Sequence, residues 1–338
     1  MRYRRLALAA LAIALLTGCA NLTQGFTPVS SVPEEVNVLS GRTGSNGPVL
    51  VVKIDDTKYA HPQIGLEAAD VVYIEQVEGG VTRLAAIFSS QIPSRIGPVR
   101  SARISDLDIL RQFGRVAFAY SGAQSKLLPL INSANLVNLG AQSQPPSIYT
   151  KDESRNQPYA MVLRADLLMQ KILEKGYQVD KAKSVGWGFG KSSAQSVPIS
   201  RVLIRWPSAS YGATWSMSEK RWHLLHNNLA NLSDTGEQLG PTTLVIQIVA
   251  ISDSSFKDKF GAITPFSQTI GEGTGYILRD GASITATWSR DSADVGTTWR
   301  GLDGIEIPFA PGQVWVALTD IEPDFTLITP SAKSSPTK

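Results

Sequence analysis

The sequence predicts an α+β protein, with an N-terminal α/β domain built on a mixed sheet and a C-terminal, mostly β domain. Three observations predict it. Strand-like apolar runs and helical patterns alternate as far as Gly176, as expected of a sheet covered by helices. From Arg201 onward only short strand-like runs remain, separated by Gly, Asp and Asn turns. Between these regions, residues 185–197 read VGWGFGKSSAQSV, a Gly- and Ser-containing linker. The expected divisions are a leader over 1–18, a tether over 19–47, an α/β domain over 48–190, a β domain over 198–322 and a tail over 323–338. A length of 338 residues fits about two domains of roughly 150 residues each.

The leader carries most of the net charge. Lys and Arg number 32 against 29 acids, and Arg2, Arg4 and Arg5 precede any acid. Without them the two signs balance, so a basic nucleic-acid-binding surface is not expected. Hydrophobic residues at 43% and charged residues at 18% exclude a mainly disordered chain. Residues 6–16 are an unbroken run of Leu, Ala and Ile, too short to span a bilayer, which needs ~20 residues. Behind a basic start it reads as a secretory signal. Leu16-Thr17-Gly18-Cys19 then looks like a bacterial lipobox, with cleavage before Cys19 and lipid on its sulfur. Cys19 is the single cysteine, so no internal disulfide can form. Residues 20–47 are rich in Ser, Thr, Asn, Gly and Pro and read as a flexible tether.

The elements follow in order. Residues 49–52 run into Lys53-Ile54-Asp55-Asp56, a buried strand ending in acids. Residues 69–77 and 81–89 are strands joined through Glu78-Gly79-Gly80, a hairpin signal. Residues 94–103 form a loop entering a helix. Ser105 would cap that helix, with Asp106 and Asp108 in its first turn and Leu107, Leu110 and Phe113 as its apolar face. Residues 116–120 are a strand ending at Ser121-Gly122, a helix starts near Lys126, and another spans 165–175 before Gly176. In the C-terminal half, strands are expected at 201–206, 213–217, 221–225, 242–251, 274–279, 283–288 and 313–318. That pattern predicts a sandwich or open barrel.

Several strings carry a family resemblance. Ala69-Asp70-Val71-Val72-Tyr73, Glu78-Gly79-Gly80-Val81-Thr82-Arg83 and Gly97-Pro98-Val99-Arg100-Ser101-Ala102-Arg103 resemble the YerB-like bacterial lipoproteins. That family is defined by a domain of unknown function followed by a second, C-terminal domain. Ile54-Asp55-Asp56 and His61-Pro62-Gln63-Ile64-Gly65-Leu66 also fit, and Gly273-Thr274-Gly275 and Pro311-Gly312-Gln313-Val314-Trp315 fit more loosely. The resemblance covers about residues 45–320 and implies an envelope lipoprotein without an established reaction.

The chemistry is read from the residues. Arg83, Arg95, Arg100 and Arg103 crowd a short span. Arg forks match phosphate or carboxylate, and helix N–H groups assist at such an entrance. One reading is an anion pocket; the other is an internal network with Glu75, Glu78, Asp70 and Asp106. Asp55 and Asp56 end a strand, where α/β sites lie, and would hold a divalent ion beside the anion or form a solvated turn. In arrangement only, these parts resemble the LytR–CpsA–Psr wall-polymer transferases, which bind a lipid pyrophosphate with arginines and acids. His223 and His226 lie three apart near a strand and point to opposite faces, so no zinc site is expected. There is no G-x-S-x-G elbow around Ser101 or Ser121. Gly271-Glu272-Gly273-Thr274-Gly275 lacks the Lys-Ser and helix of a P-loop. Six tryptophans from Trp206 to Trp315 read as core or as an aromatic platform.

The expected function is an extracytoplasmic, lipid-anchored envelope protein. It would bind an anionic envelope ligand or a protein partner through Arg83, Arg95, Arg100, Arg103, Asp55, Asp56 and Glu78. A phosphotransferase acting on a lipid-linked cell-wall precursor and a scaffold for envelope machinery are the alternatives. No cofactor is expected beyond that divalent ion, and no nucleic-acid partner. Fractionation of the native host tests the anchor: the protein is expected in the membrane fraction, processed and acylated at Cys19. Recovery from cytosol, unprocessed and unacylated, overturns it.

Overall fold

In the computed structural model, residues 34–258 and 260–328 are described. The leader, Cys19, most of the tether and residues 329–338 lie outside the described residues. The first strand, β1 (Leu50–Asp55), is buried along its whole length. A hairpin follows, β2 (Val71–Gln76) and β3 (Thr82–Phe88). Its turn uses Gly79 and Gly80 at φ of 73° and 70°. A Cβ on Gly80 would fall 2.6 Å from Pro207 Cβ, so glycine is required there on both counts. Then come β4 (Arg95–Ile96), α1 (Ile104–Arg111), β5 (Val116–Ala119), α2 (Leu128–Ser133), β6 (Leu136–Asn138), β7 (Tyr149–Lys151), β8 (Met161–Arg164) and α3 (Ala165–Lys175). The last helix stops at Gly176, which takes the left-handed conformation and donates its N–H to the final turn.

The remainder is strand. In chain order it comprises β9 (Val197–Trp206), β10 (Ala209–Ser216), β11 (Arg221–His226), β12 (Leu229–Ala230), β13 (Thr243–Ile248), β14 (Ile251–Lys257), β15 (Ile263–Ser267), β16 (Gly271–Arg279), β17 (Ala282–Arg290), β18 (Thr298–Gly301), β19 (Val314–Thr319) and β20 (Asp324–Leu327). The main sheet has the order β12-β11-β10-β9-β17-β16-β13-β19-β2-β3-β1-β5-β6, with β18 on β17 and β20 on β9. It is mixed: β13–β19, β19–β2, β1–β5 and β5–β6 are parallel, and β1–β3 and β2–β3 antiparallel. Two pieces stand apart, the β14–β15 hairpin and the small β4-β8-β7 sheet.

Strands dominate, and the three α-helices among the described residues are short, so the α+β description fits only loosely. The C-terminal strands continue the sheet begun by the N-terminal ones instead of forming a separate sandwich or barrel. The join is β19, which pairs Val314 with Thr243 on one side and with Val71 on the other. Residues 35–47, read as tether, fold onto the body, with Leu39 fully buried. Within the expected linker, Val185 and Trp187 are buried and Phe189 bridges to Phe309. Asp324–Leu327, read as tail, pairs with β9. Ser105 is inside α1, not its cap; Asp106 accepts from the Arg103 backbone N–H at 2.7 Å, a carboxylate at the first turn where the helix dipole favours it.

Strand alternation gives the sheet two cores. Leu50, Val52 and Ile54 face one, with Trp206, Trp222 and Trp315; Val49 and Val51 face the other, with Phe113, Trp288 and Trp299. The tryptophans are therefore mainly core, Trp215 being only partly buried. Trp315 is fully buried and donates Nε1–H to Gln313 Oε1 at 2.8 Å. Gln313 in turn donates to the Leu66 and Ala69 carbonyls, each at 2.9 Å. Trp315→Ala is expected to lower stability by about 3–5 kcal/mol, read from urea denaturation. A loss under ~1 kcal/mol would show that this strand does not hold the sheet together.

Candidate functional site

The end of β1 sends its two acids to opposite sides of the sheet. Asp55 pairs in register with Arg83 on β3, and Arg83 with Glu75 on β2. Residues 98–102 return along this edge: Asp55 N–H donates to Pro98 O at 2.9 Å and Arg100 N–H to Lys53 O at 2.8 Å. On the other side Ser121 N–H donates to Arg100 O, and Ala102 N–H to Gly122 O, each at 2.9 Å. The loop is thus stitched between β1 and the segment leaving β5. This fixes where Arg100 and Arg103 emerge.

Each arginine has a defined support. Arg100 Nε lies 2.7 Å from Asp55 Oδ2, and its guanidinium sits 5.7 Å from the centre of the Tyr159 ring. The other Asp55 oxygen accepts from the Thr57 backbone N–H at 2.8 Å and hydroxyl at 2.7 Å. Arg103 donates Nε–H and Nη2–H to Glu78 Oε2 at 2.8 and 2.7 Å, and Nη1–H to Ala102 O at 3.0 Å. Burial alone would raise the Glu78 carboxyl, but the hydrogen bond and charge of Arg103 hold it below its usual range. Thr264 on β15 also donates to Glu78. Arg83 donates Nη1–H to Ser101 O at 3.0 Å. Burial, then the charges of Arg103 and Arg100, lower it to about 10.

Arg83, Arg100 and Arg103 line one cavity of about 1090 Å³, together with Lys126, Tyr159, Lys257 and Phe260. It opens beyond the carboxyl ends of the parallel strands β1 and β5, where α/β ligand sites form. Lys257 is on β14, whose hairpin is tied to the N-terminal half by Lys257 N–H to Gln124 Oε1 at 3.0 Å and Gln124 Nε2–H to Thr264 Oγ1 at 3.1 Å. Beneath the cavity, fully buried Lys53 bonds Glu75 and, at 2.8 Å, Asp106.

The structure brings together Arg83, Arg100, Arg103, Asp55 and Glu78. Arg95 is not with them. It is exposed on β4 opposite Arg164, in the small sheet, and does not line the cavity. Asp56 is on the far face of β1, so the two acids do not form a pair. Among the described residues the Asp70 carboxylate accepts from serines and their backbone, as from Ser40 Oγ at 2.6 Å and Ser89 N–H at 2.8 Å, and none of the four clustered arginines bonds it. Sequence reasoning missed Lys126, Tyr159 and Lys257. Lys126 follows the Ser121-Gly122 strand end and was accessible to strand-end logic; Lys257 comes from a distant hairpin and carries no local signal. It also missed a second cluster, Asp56 with His61 and His226. Burial would raise Asp56, but the charge of His226 and the hydrogen bond of His61 hold it low.

Comparison with known proteins places this geometry. Residues 37–178 match the N-terminal domain of the family described as protein of unknown function DUF3048, and residues 202–316 match its C-terminal domain. A curated relative from Bacillus subtilis (strain 168), named "Putative lipoprotein YerB", is 23% identical over 300 residues, covering 88% of this chain and 86% of the relative. The crystal structure of the YerB protein from Bacillus subtilis superposes with a TM-score of 0.73 at 19% identity, covering 86% of this chain and 99% of that one. That likeness establishes a shared fold.

The buried Lys53 cluster has a measurable consequence. One ammonium faces two carboxylates, and burial, with the charge of Asp106 next, raises Glu75 from 4.5 to about 7. The folded state therefore holds a proton that the unfolded chain has lost, and stability falls as pH rises from about 4.5 to about 7. Glu75→Gln keeps the shape and removes the titration. Its stability relative to wild type is expected to improve by up to ~3 kcal/mol between pH 4.5 and pH 7.5, measured by urea denaturation. An unchanged difference across that range contradicts the assignment.

Proposed function

We propose, from the premise that the chain belongs to the DUF3048 family, that it is an envelope lipoprotein whose arginine-lined cavity binds an anionic ligand. The anchor is Cys19, behind the basic and apolar leader; the name of the Bacillus relative supports this assignment. Among the described residues no helix is long and apolar enough to cross a membrane. Lipid on Cys19 would supply the attachment. The ligand is a phosphate, pyrophosphate or carboxylate group of an envelope component.

One observation carries the reading. Arg83, Arg100, Arg103, Lys126 and Lys257 converge on one cavity whose lining, among the described residues, has a single acid, Asp258. Asp55 and Glu78 stand behind Arg100 and Arg103 and orient them. Arg83 donates to the Ser101 carbonyl, and burial beside two like charges makes its charge costly. An anion in the cavity would relieve that cost. Tyr159 and Phe260 add apolar wall, as ligand pockets generally have. The observations favour binding over phosphoryl transfer, because both Asp55 oxygens are engaged by Arg100 and Thr57.

The test is isothermal titration of the full chain in detergent with inorganic pyrophosphate, phosphate and citrate. At least one is expected to bind, more weakly as salt rises. Lys126→Ala and Lys257→Ala, both at exposed positions, are each expected to weaken binding about 3- to 10-fold without changing Tm, as fits the loss of a charge-assisted contact. Absence of binding by all three anions, or affinity unchanged in both variants, would overturn the reading.

A further inference from the structure

We propose that Asp56, His61 and His226 form a binding site for one divalent transition-metal ion of the zinc class. The site is on the opposite face of β1 from the arginine cavity. It joins a strand end and loop of the N-terminal half to β11 of the C-terminal half.

The donor atoms are already gathered. One from each residue lies within 4.8 Å of the others. Asp56 Oδ1 is 3.4 Å from His61 Nε2, and Asp56 Oδ2 is 3.9 Å from His226 Nε2. Ligands held at the usual zinc distances are about 3.3 Å apart across a tetrahedral angle, so closure needs only a short contraction. The two imidazoles are stacked, with centroids 4.3 Å apart. A small splaying of the rings would aim both Nε2 atoms at one point. Two imidazoles and one carboxylate suit zinc, and also iron, cobalt or nickel, better than magnesium or calcium.

The surroundings are those of a held ligand set. Thr82 donates its hydroxyl to Asp56 Oδ2 at 2.6 Å, and Tyr211 to Asp56 Oδ1 at 2.7 Å. Asn231 Oδ1 lies 3.0 Å from His61 Nδ1. Without metal, the Nε2–H of His61 faces Asp56; with a proton kept on Nδ1, an ion would take the place of the Nε2 proton. Such outer contacts fix the tautomer and orientation of ligating histidines. Arg155 donates to the Ala60 and Pro62 carbonyls at 2.8 and 2.5 Å, pinning the loop on either side of His61.

An independent observation points to a missing ligand. Gln63 is fully buried, yet its Oε1 has no partner. The Gln63 amide nitrogen is 3.2 Å from Asp56 Oδ1 and 3.3 Å from His61 Nε2. Turned over, the amide would present its oxygen to the same point and complete a fourth coordination position. Buried polar atoms without partners are uncommon; in the turned-over amide the ion would be the partner of Oε1, and the amide nitrogen would take the position that Oε1 now holds. Access is available, because His61 lines a cavity of about 600 Å³ with Tyr59, Arg155 and Tyr159.

The test uses the full chain in detergent, stripped with EDTA, dialysed and titrated with zinc chloride alone. One zinc per chain is expected by elemental analysis, with Tm rising as zinc is added. His61→Gln and His226→Gln are each expected to weaken zinc binding at least ~100-fold, with the Tm of the metal-free protein little changed. Absence of zinc uptake by wild type, or equal uptake by both variants, overturns the site. Should a variant fail to fold, cobalt(II) on wild type decides. A visible spectrum of tetrahedral or five-coordinate cobalt supports the site, and only the weak spectrum of octahedral aqueous cobalt refutes it.

Discussion

The fully buried ammonium of Lys53 is the constraint on which the arginine site depends. It binds Glu75 on β2 and Asp106 in the first turn of α1, so one cation ties two strands and a helix together. Asp106 also accepts from the Arg103 backbone N–H. The position of the core ammonium therefore determines where α1 starts and where the Arg103 side chain leaves the chain. An uncompensated buried charge typically destabilises by about 3–5 kcal/mol. The three groups must consequently be placed together, and the loop carrying Arg100 and Arg103 inherits that placement.

Above this cluster, positive charge accumulates by a layered arrangement. Asp55 supports Arg100 and is the more buried of that pair, and Glu78 supports Arg103, both of them largely buried. The acids face inward and the guanidinium groups face the cavity. Part of each fork is occupied by its acid, and the rest serves as a preorganised donor. Preorganisation of this kind strengthens binding because little side-chain freedom remains to be lost. Internal pairing and an open cavity lined by basic side chains, which the sequence poses as alternatives, here occupy successive layers of one arrangement.

Much of the fold was legible in local pattern. The β1 run, the Gly79-Gly80 hairpin and the Gly176 helix stop are set by residues near one another, and each formed where expected. The site was legible to the extent that it was local: Arg83, Arg100, Arg103, Asp55 and Glu78 meet because a hairpin and one loop bring them together. Arg95 misled because proximity in sequence does not survive the short β4 bridge, which carries it into another sheet. Joining of the two halves through β19 could not be read, since parallel pairing between residues 71 and 314 leaves no local trace. Residues 35–47 misled in another way. Their Ser, Thr, Asn and Gly content fits a tether, yet Asn37 and Ser40 are buried in side-chain hydrogen bonds with Ser89 and Asp70.

The adjacency of Asp55 and Asp56 shows how one strand end can serve two chemistries. A period of two sends neighbouring residues to opposite faces, so a single dipeptide supplies an acid to the arginine cavity and another to the histidine cluster. Tyr159 lines both the arginine cavity and the cavity beside His61. Both sites also draw on the C-terminal half, through Lys257 in one and His226 in the other. The N-terminal motifs alone would leave each incomplete: the arginine cavity would lose a wall, and Asp56 would lose His226 and Tyr211. The continuous sheet through β19 is thus more than a packing solution. It holds residues from opposite ends of the chain in one frame, and that frame sets the two acids of one strand end in two separate side-chain clusters.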